Sequence, residues 1–134
     1  MVVHEVMTRD PEYIETRTSL RDAIGKLREL NVRHLPVLHN GDLVGIVSDR
    51  DIAAFARGVD VLAPAQSEAA LDRLMADFMQ GDVISVDEDT DVGEVIDTMI
   101  DQRLGALPVV DAHSGRLAGI VSYVDILRAA RGVL

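Results

Sequence analysis

Apolar residues fall at helical spacing at Leu20, Ala23, Ile24, Leu27 and Leu30, and again at Val92, Val95, Ile96 and Met99. Each series opens on a capping signal, Ser19-x-x-Asp22 in the first and Asp91-x-x-Glu94 in the second. A side-chain oxygen there can accept from a first-turn amide that has no partner within the helix. Two short apolar runs follow each helix. Residues 34–38 and 43–47 enclose Asn40-Gly41, a pair that tolerates the positive φ of a two-residue hairpin; residues 106–110 and 117–121 enclose a longer turn containing Gly115. A second helix is predicted over 49–57 and over 123–131, stopped by Gly58 and Gly132. The predicted order is short strand, helix, strand, strand, helix, written twice: an α/β (α+β) chain.

The duplication is visible residue by residue. Leu35-Pro36-Val37 returns 72 positions later as Leu107-Pro108-Val109, and the same offset relates Met7 to Met79, Ile14 to Val86, Thr18 to Thr90, Ile24 to Ile96 and Leu27 to Met99. Beyond that phrase the offset becomes 74, relating Gly45 to Gly119, Ser48 to Ser122, Asp51 to Asp125 and Ala56-Arg57-Gly58 to Ala130-Arg131-Gly132. The two inserted residues fall in the second turn, where a duplicated fold tolerates them. The expected division is a first repeat over 1–57, a linker and the start of a lead-in helix over 58–73, and a second repeat over 74–134. Pro64 argues against continuous helix in the linker, and residues 71–79 read as the lead-in helix. A unit of about 60 residues buries little apolar surface alone. The repeats are therefore expected to pack through their sheets with pseudo-twofold symmetry, enclosing two equivalent clefts.

Charge and composition narrow the partners. The chain has 134 residues and a formal charge of −10, with 8 Lys+Arg against 10 Asp+Glu over residues 1–66 and 5 against 13 over 67–134. Such a surface repels a phosphate backbone, so nucleic acid is not an expected partner. No cysteine is present, which removes disulfides, thiolate catalysis and zinc–thiolate sites. No apolar run approaches a membrane span, and Met1-Val-Val-His-Glu-Val-Met-Thr-Arg-Asp10 does not read as a signal peptide. A soluble, cytoplasmic protein is expected. Arg21, Lys26 and Arg28 read as exposed helix charges with Asp22 and Glu29 as local partners. Ile52, Phe55, Ile126 and Leu127 read as more apolar surface than one pair of repeats can bury, which points to a homodimer.

The candidate chemistry lies in Gly45-Ile-Val-Ser-Asp-Arg-Asp51 and Gly119-Ile-Val-Ser-Tyr-Val-Asp125. Ser48-x-x-Asp51 and Ser122-x-x-Asp125 can be capping boxes alone, each stabilising a helix start by about 1 kcal/mol. They can equally bind a nucleoside phosphate. The carboxylate would accept from a ribose diol, while the hydroxyl and the helix N-terminus face an anion. The preceding glycine leaves room for another group to approach. Of the histidines, His39 and His113 fall in turns and His34 abuts a strand; none has metal-ligand spacing. Residues 87–91, Asp-Glu-Asp-Thr-Asp, lack the glycine and the downstream glutamate of a calcium loop. Ser48, His34 and Asp51 form a triad only on paper. The second copy lacks the histidine, and no nucleophile-elbow, phosphate-loop or dinucleotide phrase occurs. No catalytic or metal residue is assigned, and no enzyme activity is expected.

Taken in order, Val6-Met7-Thr8, Thr18-Ser19-Leu20 with Thr90-Asp91-Val92, Arg33-His34-Leu35-Pro36-Val37 with Gly105-Ala106-Leu107-Pro108-Val109, and the doubled Gly-Ile-Val-Ser-x-x-Asp resemble a tandem pair of CBS domains, the Bateman module. The resemblance covers roughly 2–57 and 74–131. It implies two βαββα repeats, commonly assembled as a disc-like dimer of modules. It also implies AMP, ADP, ATP, S-adenosylmethionine or NAD as effectors in the clefts between repeats, with no required cofactor. By position, one cleft would join Ile46, Ser48 and Asp51 to Val83, Ile84 and Ser85, with Ala106 nearby. The other would join Ile120, Ser122 and Asp125 to Thr8, Pro11 and Tyr13, with Arg33 and His34 nearby. Because Arg33 and His34 suit phosphate, the Ser122 and Asp125 cleft is expected to take the charged nucleotide. The other would take a less charged adenosyl compound or stay empty. The expected function is ligand sensing, with the output delivered to another, unidentified protein. The alternative is a structural, protein-interaction module whose boxes only cap helices.

Overall fold

The computed structural model describes residues 1–59, 64–77 and 83–134. In chain order the elements are β1 (Thr8–Arg9), β2 (Ile14–Glu15), α1 (Leu20–Leu30), β3 (His34–His39), β4 (Asp42–Ser48), α2 (Asp49–Val59), α3 (Pro64–Leu71), β5 (Val86–Asp87), α4 (Val92–Gln102), β6 (Ala106–Val110), β7 (Leu117–Ser122) and α5 (Tyr123–Arg131), with 3-10 turns at Val3–Glu5 and Met75–Asp77. They form a three-stranded sheet, β2-β3-β4, and a four-stranded sheet, β1-β7-β6-β5. The described chain divides into two compact units, Glu12–Val83 and Met1–Pro11 with Ile84–Leu134. No helix among the described residues is long and apolar enough to cross a membrane.

Local chemistry accounts for most boundaries. Ser19 accepts from the Asp22 amide, and Asp91 accepts from the Gly93 amide in place of a reciprocal box with Glu94. The pairing of His39 with Asp42 leaves Asn40 (φ 51) and Gly41 (φ 87) as a two-residue turn with both residues left-handed, the twist a tight hairpin needs. In the second hairpin Val110 pairs with Leu117. The insertion is accommodated by the Asp111 carboxylate, which accepts from the amides of Ser114 (2.8 Å) and His113 (2.9 Å). Those bonds, the one from Ser114 foremost, hold Asp111 below the ordinary carboxylate range. Pro36 and Pro108 sit inside central strands, yet β2 pairs only with Val37 and Leu38, and β5 only with Val109 and Val110. On that side each proline lies just beyond the ladder, where a missing N–H breaks no pairing.

Each unit has its own core. In one, Ile14, Leu20, Ala23, Leu27, Leu35, Val37, Val47 and Met75 are buried together; in the other, Val3, Val95, Met99, Leu107, Val109 and Val121. A fully buried aliphatic side chain contributes about 1.5–3 kcal/mol, so these residues dominate the stability of each unit.

The cores are closed reciprocally. The turn at Val3–Glu5 belongs to the unit built by the second repeat, and the turn at Met75–Asp77 to the unit built by the first. Val3 N donates to Thr90 O (2.9 Å), His4 N to Glu88 O (3.1 Å), and Val92 N to Met1 O (2.9 Å). The counterparts 72 positions along are Met75 N to Thr18 O (2.8 Å), Ala76 N to Thr16 O (3.2 Å), and Leu20 N to Arg73 O (2.8 Å). Val3 and Met75 are both fully buried. The compact units therefore do not follow the 1–57 and 74–134 division of the repeats: residues 1–11 go with the second, and 73–77 with the first.

Several sequence expectations are corrected. Pro64 opens α3 within the expected linker, because a first-turn proline lacks only an N–H that has no intrahelical acceptor. The lead-in helix expected over 71–79 is instead the last residue of α3 followed by the turn at Met75–Asp77; residues 60–63 and 78–82 of the linker and lead-in, Met79 included, lie outside the described residues. α2 continues through Gly58 to Val59, because glycine inside a helix costs only about 1 kcal/mol, whereas α5 ends at Arg131 before Gly132 as expected. A left-handed residue ends α1 at Asn31 (φ 52) and α4 at Arg103 (φ 56). Arg21 pairs with Glu68 (2.7 Å) and Asp72 (3.6 Å), and Lys26 with Glu12 (3.6 Å), not with Asp22 and Glu29. Ile52 and Ile126 pack against the cores of their own units. The exposed large apolar residues of α4 and α5 are Ile96, Ile100, Tyr123, Val124 and Leu127; the Phe55 side chain lies outside those described.

Two substitutions test this packing. A methyl group at Gly119 would stand 2.8 Å from the Thr8 carbonyl and 2.6 Å from Met7 Sδ. Gly119→Ala should lower unfolding free energy by about 1–3 kcal/mol in denaturant titration, and an unchanged midpoint would contradict the close approach of Met7 and Thr8 to Gly119 where β1 pairs with β7. Arg103→Gly should raise it by about 1 kcal/mol, since the left-handed conformation no longer opposes a Cβ.

Candidate ligand-binding site

In both repeats a strand runs into a helix without a loop, and the Ser-x-x-Asp phrase spans the junction. Ser48 N donates to Asp51 Oδ2 (3.1 Å) and Asp51 N donates to Ser48 Oγ (3.1 Å). At the other junction Ser122 N donates to Asp125 Oδ2 (2.9 Å), Asp125 N to Ser122 Oγ (3.3 Å), and Ser122 Oγ to Asp125 Oδ2 (3.1 Å). Both phrases are thus reciprocal capping boxes. Each box engages Oδ2 of the aspartate and holds that carboxylate at the positive end of a helix.

Strand register decides which residues stand beside each box. Thr8 is opposite Ile120 and Arg9 opposite Gly119, while Asp10 N donates to Ala118 O (3.2 Å). Thr8 and Ile120 therefore meet on the strands leading to Ser122 and Asp125, with Pro11 one residue beyond Asp10. Ala106 is opposite Ser122, and Tyr123 N donates to Gly105 O (3.0 Å). Ile84 and Ser85, both exposed, precede β5 in the same unit. In the other unit His34 is opposite Ser48, Pro36 is opposite Ile46, and Asp49 N donates to Arg33 O (2.9 Å). Val83 ends that unit. Tyr13 also belongs to it; Lys26 Nζ donates to Tyr13 O (2.7 Å) and lies 5.9 Å from the ring centroid.

Each unit by itself thus places Arg33 and His34 at the Asp51 box, and Ala106 at the Asp125 box. The resemblance grouped them the other way, across the repeats. The left-handed Asp10 (φ 45) is a feature the sequence reading missed; the Asp-Pro step, which favours a turn, was its available signal.

The two junctions differ electrostatically. Burial pushes the His34 imidazole below its ordinary value, against the raising fields of Asp49 and Asp51 and with Arg33 also lowering it. Ala106 stands at the matching place in the other unit. Of the remaining candidates, His39 Nδ1 is hydrogen-bonded to Thr16 Oγ1 (3.0 Å), and His4 and His113 are exposed. In the acidic run, Asp87 Oδ1 accepts from Asp89 N (2.8 Å) and Thr90 Oγ1 (3.3 Å), closing a turn. Among the described residues no cluster of three His, Asp or Glu is placed to hold a metal.

Comparison with known proteins bears on this arrangement. The CBS domain family pattern matches residues 3–58 and 75–132. The chain is 31% identical over 128 residues to an uncharacterized 33.4 kDa protein in the ribosomal RNA operon of Thermofilum pendens, covering 93% of this chain and 42% of that protein. It therefore spans less than half the length of that relative. Among solved structures it is similar to CBSX2 in complex with AMP (TM-score 0.82, 28% identity, 98% of this chain and 97% of that one). It is similar too to the CBS domain pair of protein MJ0100 in complex with 5′-methylthioadenosine and S-adenosyl-L-methionine (TM-score 0.81, 28% identity, 100% and 98%).

The depressed His34 gives a pH signature. Its neutral form is favoured by the fold, so that contribution is intact above the ordinary imidazole value of about 6.5. It is lost as pH falls through the lower value of the folded chain. His34→Gln should flatten the decline of melting temperature as pH falls below about 6.5; a slope identical to that of the unsubstituted chain would contradict the burial of a neutral ring.

Proposed function

The chain belongs to the CBS domain family, carrying two of its repeats, and from that premise we propose that it is a sensor of an adenine nucleotide or adenosyl compound. A CBS pair is a regulatory module. The observation that carries the reading is the doubled box, in which each aspartate is pinned by Oδ2 to a helix N-terminus. A carboxylate so held is oriented before ligand arrives, and its remaining lone pairs can accept from the two hydroxyls of a ribose. The adjacent helix amides favour the phosphate or another anion. The complexes of CBSX2 with AMP and of the MJ0100 pair with adenosyl compounds support the ligand class.

In this reading Asp125 and Ser122 grip ribose, with Ile120, Thr8 and Pro11 lining the same site; Asp51, Ser48, Ile46 and Val83 do so in the other repeat. The resemblance assigns Tyr13, Arg33 and His34 to the Asp125 ligand, and Ile84, Ser85 and Ala106 to the Asp51 ligand, and the proposal keeps those assignments. Because those assignments set Arg33 and His34 with the Asp125 ligand, the charged nucleotide goes to Asp125. The chain turns nothing over; ligand shifts the population toward the geometry that binds it best, and a partner protein reads the shift. A cytoplasmic location follows from the intracellular ligands. Exposed Ile96, Ile100, Val124 and Leu127 on α4 and α5 give a homodimer its contact surface. A second reading, a purely structural module, is favoured by the fact that both boxes are already complete within the chain.

Thermal unfolding separates the two. A ligand present at 100 times its dissociation constant should add about 2.7 kcal/mol to apparent stability. AMP, ATP and S-adenosylmethionine are the probes, and no shift with any of them favours the structural module. Calorimetric titration of Asp125→Ala should lose AMP and ATP binding at least tenfold, while Asp51→Ala should lose much less. Equal losses would count against the asymmetry.

A further inference from the structure

We propose that Met1–Pro11 is an exchangeable docking segment, one that a second copy of this chain can supply to the Ile84–Leu134 body in place of the chain's own. The segment is recognised through main-chain hydrogen bonds and through apolar side chains. Val3 N and His4 N donate to Thr90 and Glu88, Val92 N donates back to Met1, and β1 lies in register on β7. Val3 is fully buried, and Val6 and Met7 pack against the same core. Nothing in that set distinguishes one copy from another. The chain also shows that such docking is indifferent to connectivity: Val3 precedes the body it closes, whereas Met75, in the equivalent place of the other unit, follows its own.

The hinge favours exchange. The last bond to the body is from Asp10 N to Ala118 O, and the next element begins at Ile14, leaving Pro11, Glu12 and Tyr13 between. Beyond the hinge Lys26 anchors the Tyr13 carbonyl and Glu12. The turn is thereby concentrated at Asp10, which is left-handed at φ 45 without being glycine, and at Pro11. A short hinge that stores strain is relieved when it opens into an extended connection between copies. In the exchanged dimer Ile120, on the strand leading to Ser122 and Asp125, would face the second copy's Thr8.

The cysteine-free chain allows a direct test. Chains carrying Thr8→Cys or Ile120→Cys alone are mixed, unfolded, refolded together and oxidised. The expected result is a disulfide joining one chain of each kind, in a yield that rises with protein concentration and exceeds the product of two Thr8→Cys chains. The doubly substituted chain should close the same bond internally, which confirms the geometry. A mixed product no more abundant than the Thr8→Cys pair overturns the proposal. The unsubstituted chain provides a second readout by size-exclusion chromatography. Asp10→Gly relaxes the hinge and should lower the refolded dimer fraction several-fold, whereas a dimer held only by α4 and α5 is indifferent to it. An unchanged fraction contradicts exchange.

Discussion

Each hydrophobic core in this chain is closed by a segment that the other repeat contributes. Val3 seals the core under β6 and β7, and Met75 seals the one under β3 and β4. The surrounding backbone bonds are the same in both units, displaced by 72 residues. Units of this size bury barely enough apolar surface to outweigh the entropy of ordering their chain. The borrowed residue and its three backbone bonds therefore bear on whether each unit is stable at all. Everything else hangs from that exchange. It delivers β1 to the edge of β7, it requires the absence of a side chain at Gly119, and it places Thr8 on the strand pair leading to Asp125.

What the sequence revealed and concealed follows from the range of each interaction. Asn40-Gly41 and Ser-x-x-Asp are local, with partners three residues away or fewer, and the structure forms both as read. Counting outward from the two-residue turn sets His34 opposite Val47; a one-residue register shift between Val37 and Leu38, which the turn does not foretell, moves it opposite Ser48. The lead-in segments concealed their partners because the bonds join residues more than fifty positions apart and use main chain, which leaves no residue pattern. Pro64 and Gly58 misled for a different reason. Both types are tolerated in helices at particular places, proline in the first turn and glycine wherever tertiary packing outweighs its entropy. Arg103 adopts the left-handed conformation of Asn31 only because it inherits the same place in the repeat.

The grip proposed for ribose and the cap of the helix use the same carboxylate. A capping box worth about 1 kcal/mol holds the acid in place before any ligand arrives, so the helix start and the site share one preorganised group. The repeats then diverge beside it. One carries Arg33 and a half-buried His34, the other Gly105 and Ala106. Duplication thus supplies two matched frameworks, and a few side chains on neighbouring strands distinguish them in charge.

The reciprocal closure is tested most directly by native-state hydrogen exchange at single residues. The account predicts that the amides of Val3, Val92, Leu20 and Met75 exchange only with the global unfolding of their units, as slowly as amides in the central strands β3 and β6. Rapid exchange at Val3 and Met75, at the rate of a frayed end while β3 and β6 stay protected, would contradict it.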